Sequence, residues 1–318
     1  MSAQTAQVRL GYACINMELA EKPKKERVTC NRGMIKRTFQ QKGIVYASEL
    51  ALANVVDLCS VIEWNASHGI EVFRITSCLF PWASEYNLES LPDFEEISNQ
   101  LQRAGELART AGQRLSFHPG PFNILTSPKE HVVQNSYTDL EIHGKIFDLM
   151  GMPRDHWSKI NIHVGASYGD REASIERWCR NFEKLSDSVK SRLTVENDDK
   201  LSLYSTKMLY DSIYKRMGVP IVFDSLHHKC GPQDVSHEEA LGMAVESWPQ
   251  GIRPTCHHSN SRLEYEGEGK QNAHTDWYYE PFDNCGHAVD VVLECKQKER
   301  ALFKYKDDFE TSELTRAA

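Results

Sequence analysis

No Gly-x-Gly-x-x-Gly follows the first strand-like run of this 318-residue chain, no two cysteines form a C-x-x-C pair, and no uninterrupted apolar run approaches the roughly 18 residues of a membrane span. The first absence removes the dinucleotide fingerprint of a doubly wound sheet. The second leaves nine scattered cysteines, an odd set that suits reduced thiols in a cytoplasm or nucleus better than a disulfide framework. The third argues against a membrane location. No charged-then-apolar signal opens the N-terminal "MSAQTAQVRL", so a cytoplasmic or nuclear protein is expected. No low-complexity or Pro/Gly/Ser linker splits the sequence. It is therefore read as one domain over 8–303, with flexible termini at 1–7 and 306–318.

Positive charge is also scarce overall, the net charge being −8, which weighs against nucleic acid as a partner. The deficit is uneven. Residues 21–43, "EKPKKERVTCNRGMIKRTFQQKG", hold eight Lys/Arg against Glu21 and Glu26, a net +6 that leaves −14 for the remainder. A local basic loop on an acidic body can still hold phosphates, because phosphate contacts are local. Alone, such a run reads more simply as a solvated loop.

What is present is strand-helix alternation. Strands are expected at "VRLGYA" (8–13), "EVFRIT" (71–76), "RLSFH" (114–118), "KINIHVG" (159–165), "RLTVEN" (192–197), "PIVFDSLH" (220–227), "RPTCHHS" (253–259) and "VDVVLEC" (289–295). Helical patterns lie between them, at 47–69, 94–112, 130–151, 171–186 and 205–218. Eight strands in such alternation predict an α/β fold, a (β/α)₈ TIM barrel. The stretch 14–46 is left as a long loop, and loops of that length are often functional.

The strand ends share a feature. "RLSFHPGPFN" closes on His118 and stiffens at once with Pro119 and Pro121; the next strands bring His163, Glu196, Asp224 with His227 and His228, His257 with His258, and Glu294. One histidine at a strand end is more often packed than ligating. Six consecutive strands so finished would crowd imidazoles and carboxylates around one barrel mouth, where only cations relieve the burial cost. Three or more His with Glu and Asp favour Zn²⁺, Mn²⁺ or Fe²⁺ over Mg²⁺. The donors exceed what one ion can use, so two or three ions are implied, an arrangement suited to phosphodiester hydrolysis.

The segments "LGYACIN", "CNRGMIKRT", "LALANVVDLCSVIEWNASHGIEVFRITS", "RLSFHPG", "INIHVGASYGD", "RLTVENDD", "PIVFDSLHH", "NAHTDW" and "VLECKQKE" resemble, in order and spacing, the UV damage endonucleases, over about residues 8–303. The resemblance implies an endonuclease IV-like barrel, nicking of damaged double-stranded DNA 5′ to cyclobutane dimers and 6-4 photoproducts, and a cluster of ions, commonly Mn²⁺. It implies no obligate protein partner. It carries the ligand role onto His118, His163, Glu196, Asp224, His227, His257, His274 and Glu294, with Glu196 bridging; His274 enters only through the resemblance. Glu196, Glu85 and Tyr12 are then the residues expected at the chemistry. Tyr12, Asn16, Arg32, Lys36 and Arg37 are those expected along the DNA, and His228, His258 and Glu299 are left as structural or supporting groups.

Three positions depart from the family pattern. Pro121-Phe122 stands where the family usually has Gln and an aromatic that probe the duplex, Glu85 where it commonly has His, and Thr255 where it often has a lysine. The wedge survives and the amide does not; Pro121, Phe122 and Thr255 are still expected on the DNA side, where a Thr can hydrogen-bond a phosphate. These changes imply retained metal binding with altered substrate handling. Two other readings compete: a small-molecule metalloenzyme on the same barrel, such as a sugar isomerase, an epimerase or an iron-dependent oxidase, and a damage-binding protein without catalysis.

Overall fold

The computed structural model describes residues 8–310; the loose end expected at 1–7, and residues 311–318 of the one expected at 306–318, lie outside them. Eight parallel strands close a barrel in chain order. They are β1 (Arg9–Cys14), β2 (Val72–Ile75), β3 (Arg114–Phe117), β4 (Ile160–His163), β5 (Leu193–Glu196), β6 (Ile221–Asp224), β7 (Thr255–His258) and β8 (Asp290–Leu293). Every expected strand is present, most trimmed to four residues. One carries a correction. The run 220–227 does not stay extended, because the Asp224 side chain accepts the backbone N–H of His227 and caps a short helix over Ser225–Cys230. His227 and His228 therefore sit on that helix.

The chain divides into two compact units, residues 14–194 and residues 8–13 with 195–310. In the first, β2 and β3 pair from Val72↔Arg114 to Ile75↔Phe117, and β3 meets β4 at Phe117↔Ile160. Helix α1 (Lys36–Ser67) packs against α2 (Phe94–Thr110). Val55, Leu58 and Ile62 of α1 and Ile97, Leu101 and Ala108 of α2 are fully buried. Helix α1 starts eleven residues before the expected 47, so the presumed loop 14–46 is partly helical and holds a further turn at Met17–Ala20. Gly43 breaks α1 with φ +64 and ψ −158, a backbone open to glycine that makes the two halves a kinked pair. By length and composition α1 would also suit a membrane span, although no uninterrupted apolar run announced it. Val55, Leu58, Val61 and Ile62 are used in packing, while Val45 and Val56 are exposed. Helices α3 (Glu130–Leu149) and α4 (Arg171–Phe182) complete this unit's outer layer.

In the second unit β8 pairs with β1 from Arg9↔Asp290 to Tyr12↔Leu293 and with β7 from Thr255↔Asp290 to His258↔Leu293. Strand β6 joins β7 at Asp224↔His257 and β5 at Glu196↔Val222. The short helix Ser225–Cys230 is α5, His237–Glu246 is α6, and Lys298–Tyr305 is α7. Residues 306–310 continue α7 as a π-helical turn, where a loose end was expected to begin. The helical pattern at 205–218 resolves into Thr206–Leu209, a π turn over Tyr210–Tyr214, and Lys215–Met217.

Candidate metal centre

Strand geometry sorts the ligands. Successive residues of a strand point to opposite faces. On β7 this separates His257, which meets Glu196 and Glu294, from His258, whose Nδ1 lies 2.7 Å from Ser225 Oγ and whose Nε2 lies 3.1 Å from the Glu280 carbonyl. Burial lowers the His258 pKa to about 4, so it packs as a neutral ring stacked on Tyr278. Its structural reading holds.

In the unit of residues 195–310, Glu196 is fully buried at the end of β5 and addresses two imidazoles at once. Its Oε1 is 3.1 Å from His227 Nδ1 and its Oε2 is 3.1 Å from His257 Nδ1. Glu294 Oε1 approaches His257 Nδ1 at 3.7 Å, and Glu294 Oε2 approaches His274 Nε2 at 3.8 Å. His274 is brought there by an antiparallel bridge to Ser261, and its Nδ1 is 2.6 Å from Ser259 Oγ. Asp224 is clasped by Asn197, whose Oδ1 accepts the Asp224 N–H at 2.9 Å while its Nδ2 donates to the Asp224 carbonyl at 3.0 Å. Asp224 Oδ1 is used on the helix cap, and its Oδ2 is buried with no hydrogen-bond partner. One donor atom each from Asp224, His257 and Glu294 lies within 4.8 Å of the others.

Electrostatics follow from this crowding. Burial opposes a charge on His227, but Asp224, Glu196 and Glu294 together outweigh it and raise its pKa well above the ordinary value. A proton on His227 thus balances part of the carboxylate charge. The donor set is all nitrogen and oxygen, and with a buried carboxylate oxygen left over it fits divalent cations of the Mn²⁺, Zn²⁺ or Fe²⁺ class.

In the unit of residues 14–194, the rings of His118 and His163 stand 5.4 Å apart at the ends of β3 and β4. Ser77 Oγ donates to the His118 carbonyl at 2.8 Å and ties the strand end down. Gly165, at φ +104, leaves room that a Cβ would lose to Ile124 and Thr126, so the chain can turn directly after β4. Phe122 is 83% exposed, and Pro121 beside it is exposed as well.

Other expected site residues fall elsewhere. Tyr12 is fully buried in β1 and offers no surface to a duplex. Asn16 is buried, its Oδ1 accepting the Leu19 N–H at 2.9 Å as a helix cap. Arg32 is committed: its Nη2 is 2.6 Å from Asp57 Oδ2, and its Nη1 donates to the Thr29 carbonyl. Tyr12 and Asn16 are thus buried, whereas Arg32 keeps part of its side chain exposed beside Asp57. Lys36 and Arg37 are exposed, as are Lys22, Lys24, Lys25, Arg27 and Lys42. Glu85 is exposed on a 3₁₀ turn and belongs to no metal-ligand grouping among the described residues. Thr255 is buried at the start of β7 with an unpartnered hydroxyl. Asn197, between Glu196 and Asp198 in "ENDD", takes a role that the strand-end pattern alone does not assign, the clasp on Asp224.

The profile of the family described as UV-endonuclease UvdE matches residues 8–317. The UV-damage endonuclease of Schizosaccharomyces pombe is 33% identical over 306 residues, which cover 93% of this chain and 50% of that protein. The chain thus spans about half the length of that relative. The UV DNA damage endonuclease of Bacillus cereus (strain G9842) is 34% identical over 265 residues, 80% of each chain. The crystal structure of SacUVDE superposes with a TM-score of 0.82 at 28% identity, covering 96% of this chain and 99% of that one. A D-psicose 3-epimerase, at TM-score 0.50 and 14% identity, shares the fold alone.

Proposed function

This chain belongs to the UV-endonuclease UvdE family, and on that premise we propose that it is a metal-dependent DNA repair endonuclease nicking the phosphodiester 5′ to UV photoproducts, cyclobutane dimers and 6-4 photoproducts among them. The observation that carries the reading is the buried set of Glu196, Asp224, His227, His257 and Glu294, in which one carboxylate faces two imidazoles and Asp224 Oδ2 has no protein partner. Such a set serves no packing purpose that apolar residues would not serve better.

The residues divide the work. Glu196 would hold the ions, with His227, His257, Asp224, Glu294 and His274 as further ligands in the same unit, and His118 and His163 as the pair the family resemblance adds. Two or three divalent ions held there, Mn²⁺ first with Zn²⁺ or Fe²⁺ as alternatives, would supply Lewis acidity suited to phosphodiester hydrolysis. Asn197 fixes the Asp224 backbone, and Ser259 orients His274 so that Nε2 is turned to Glu294. Phe122 is the wedge, since an exposed ring at a rigid turn can enter a base stack where a lesion has made unstacking cheap. The exposed Lys22, Lys24, Lys25 and Arg27 would hold the DNA backbone.

The test is nicking of UV-irradiated supercoiled plasmid by wild type and Glu196→Ala, with bound ions counted by mass spectrometry. Loss of nicking together with loss of ions is expected. A Glu196→Ala protein that nicks as wild type sinks the mechanism; ions without nicking, alongside tight binding of a small polar ligand, would turn the reading toward a small-molecule metalloenzyme.

A further inference from the structure

One group of donors lies outside the strand ends. His237, Asp283 and Cys285 each offer a ligand atom, and the three atoms lie within 4.8 Å of one another. We propose that these residues form a second metal site that takes one zinc-class divalent ion and fastens the irregular segment before β8 to the start of α6.

The two sides of the site differ in order. His237 is the first residue of α6, whose start is fixed by a capping box: Ser236 Oγ accepts the Glu239 N–H, and the Glu239 carboxylate accepts the Ser236 N–H at 2.9 Å. Its ring stands edge-on to Phe223 at 5.0 Å, near Phe282 at 6.2 Å, and its Nε2 is 2.9 Å from the Asp283 carbonyl oxygen. Imidazole orientation is therefore set before any ion arrives. Opposite, residues 267–289 contain no helix or strand beyond the single bridge at His274. Asp283 Oδ1 accepts the Cys285 N–H at 2.9 Å, which closes one turn around both donors. Long segments of this kind need an anchor or a function.

The chemistry selects the ion. A nitrogen, an oxygen and a sulfur together suit a borderline-soft ion and exclude Mg²⁺ and Ca²⁺, which want oxygen shells. Zinc bonds of about 2.0 Å to nitrogen and 2.3 Å to sulfur give tetrahedral edges of roughly 3.3–3.5 Å, inside the 4.8 Å within which the three donor atoms lie. Water completes the fourth position, since Asp283 is exposed. Burial, then Asp283 and Glu238, push the Cys285 thiol up to about 11. The same negative neighbours attract a cation, and on binding the thiol proton leaves to solvent as the sulfur takes the metal. No electron is transferred.

Cobalt(II) added to the full chain reads this site selectively. Thiolate-to-cobalt charge transfer absorbs in the near ultraviolet, and the strand-end cluster has no sulfur donor. The band should saturate at one equivalent, yield to Zn²⁺, persist in Glu196→Gln and vanish in Cys285→Ser. Asp283→Asn should weaken cobalt binding by about tenfold or more. Far-ultraviolet circular dichroism confirms that both surface variants fold. Absence of the band at saturating cobalt, or a band unchanged in Cys285→Ser, overturns the proposal. Either result leaves the strand-end reading standing, because that reading is judged by nicking and by Glu196.

Discussion

The sheet formed by β1, β8, β7, β6 and β5 buries carboxylates at both of its ends and treats them in opposite ways. At the strand starts, Asp290 is fully buried and both its oxygens are taken, by Arg9 Nε at 2.7 Å and Arg9 Nη2 at 2.8 Å. At the strand ends, Glu196, Asp224 and Glu294 are buried too, yet their nearest basic groups are imidazoles at 3.1–3.9 Å. Asp224 Oδ2 has no hydrogen-bond partner among the described residues. A buried carboxylate costs several kcal/mol unless neutralised. An arginine neutralises it permanently and in a fork geometry, which makes a structural joint. An imidazole in its neutral form is a metal ligand, so a carboxylate set among imidazoles leaves a place a cation can enter. The same chemical group is locked into an ion pair at one end and, on the proposed reading, serves a reaction at the other.

Two substitutions of equal size should pull these roles apart. Asp224→Asn keeps an oxygen for the helix cap and removes the charge. Nicking of irradiated plasmid is expected to fall by about 10³-fold, some 4 kcal/mol of transition-state stabilisation, while the metal-free protein melts at or above the wild-type temperature. Asp290→Asn should do the reverse: a loss of about 3 kcal/mol in urea unfolding, from Arg9 left half-paired, with the ion count per folded chain unchanged. Equal behaviour of the two variants in both assays would erase the distinction between the ends.

The strands were legible because each is a short β-branched or aromatic run set between helical periods, and period two alone places His257 and His258 on different faces. Less visible was the fate of "DSLHH". Its aspartate three residues before His227 is a capping signal, and reading it as such would have ended β6 at Asp224. His274 could not be found from a strand pattern, since it hangs in an irregular segment and reaches the cluster through one bridge to Ser261. The basic run illustrates a different limit. Charge can be counted along a sequence, but the partner of Arg32 is Asp57, and only the packing of the arm on α1 shows that one cation is spent. Tyr12 and Asn16 show the same limit: position after the first strand suggests access, and only the fold reveals that both are buried.

A residue at a strand end need not join the buried cluster to serve the reaction, and Phe122 tests that. Its ring is exposed, so Phe122→Ala should shift stability by less than about 0.5 kcal/mol. Discrimination between irradiated and undamaged duplex should nevertheless drop roughly tenfold, because the wedge offsets part of an unstacking cost of a few kcal/mol. Competition binding with the two duplexes measures it. Unchanged discrimination would confine function at the strand ends to the ligands.

The smallest effect belongs to the strand starts of the other unit. His156 lies just before β4, and burial depresses its pKa to about 4, with Asp155 opposing and Arg114 assisting. The unfolded imidazole titrates near 6.5. Between those values the unfolded chain carries a proton that the folded chain refuses, so stability present above pH 6.5 is lost as pH falls, the loss being complete near pH 4. At pH 5 the contribution is on the order of 1–2 kcal/mol. His156→Gln should remove it, so that the urea midpoint of the variant drops less than that of wild type between pH 7.5 and pH 5, other carboxylates titrating alike in both. A histidine at a strand start would then cost stability on protonation, whereas those at the strand ends of residues 195–310 sit among carboxylates that welcome a proton or a metal. Parallel midpoints in the two proteins would mean that His156 takes its proton in the folded state as readily as in the unfolded one, and the contrast between the ends would rest on carboxylates alone.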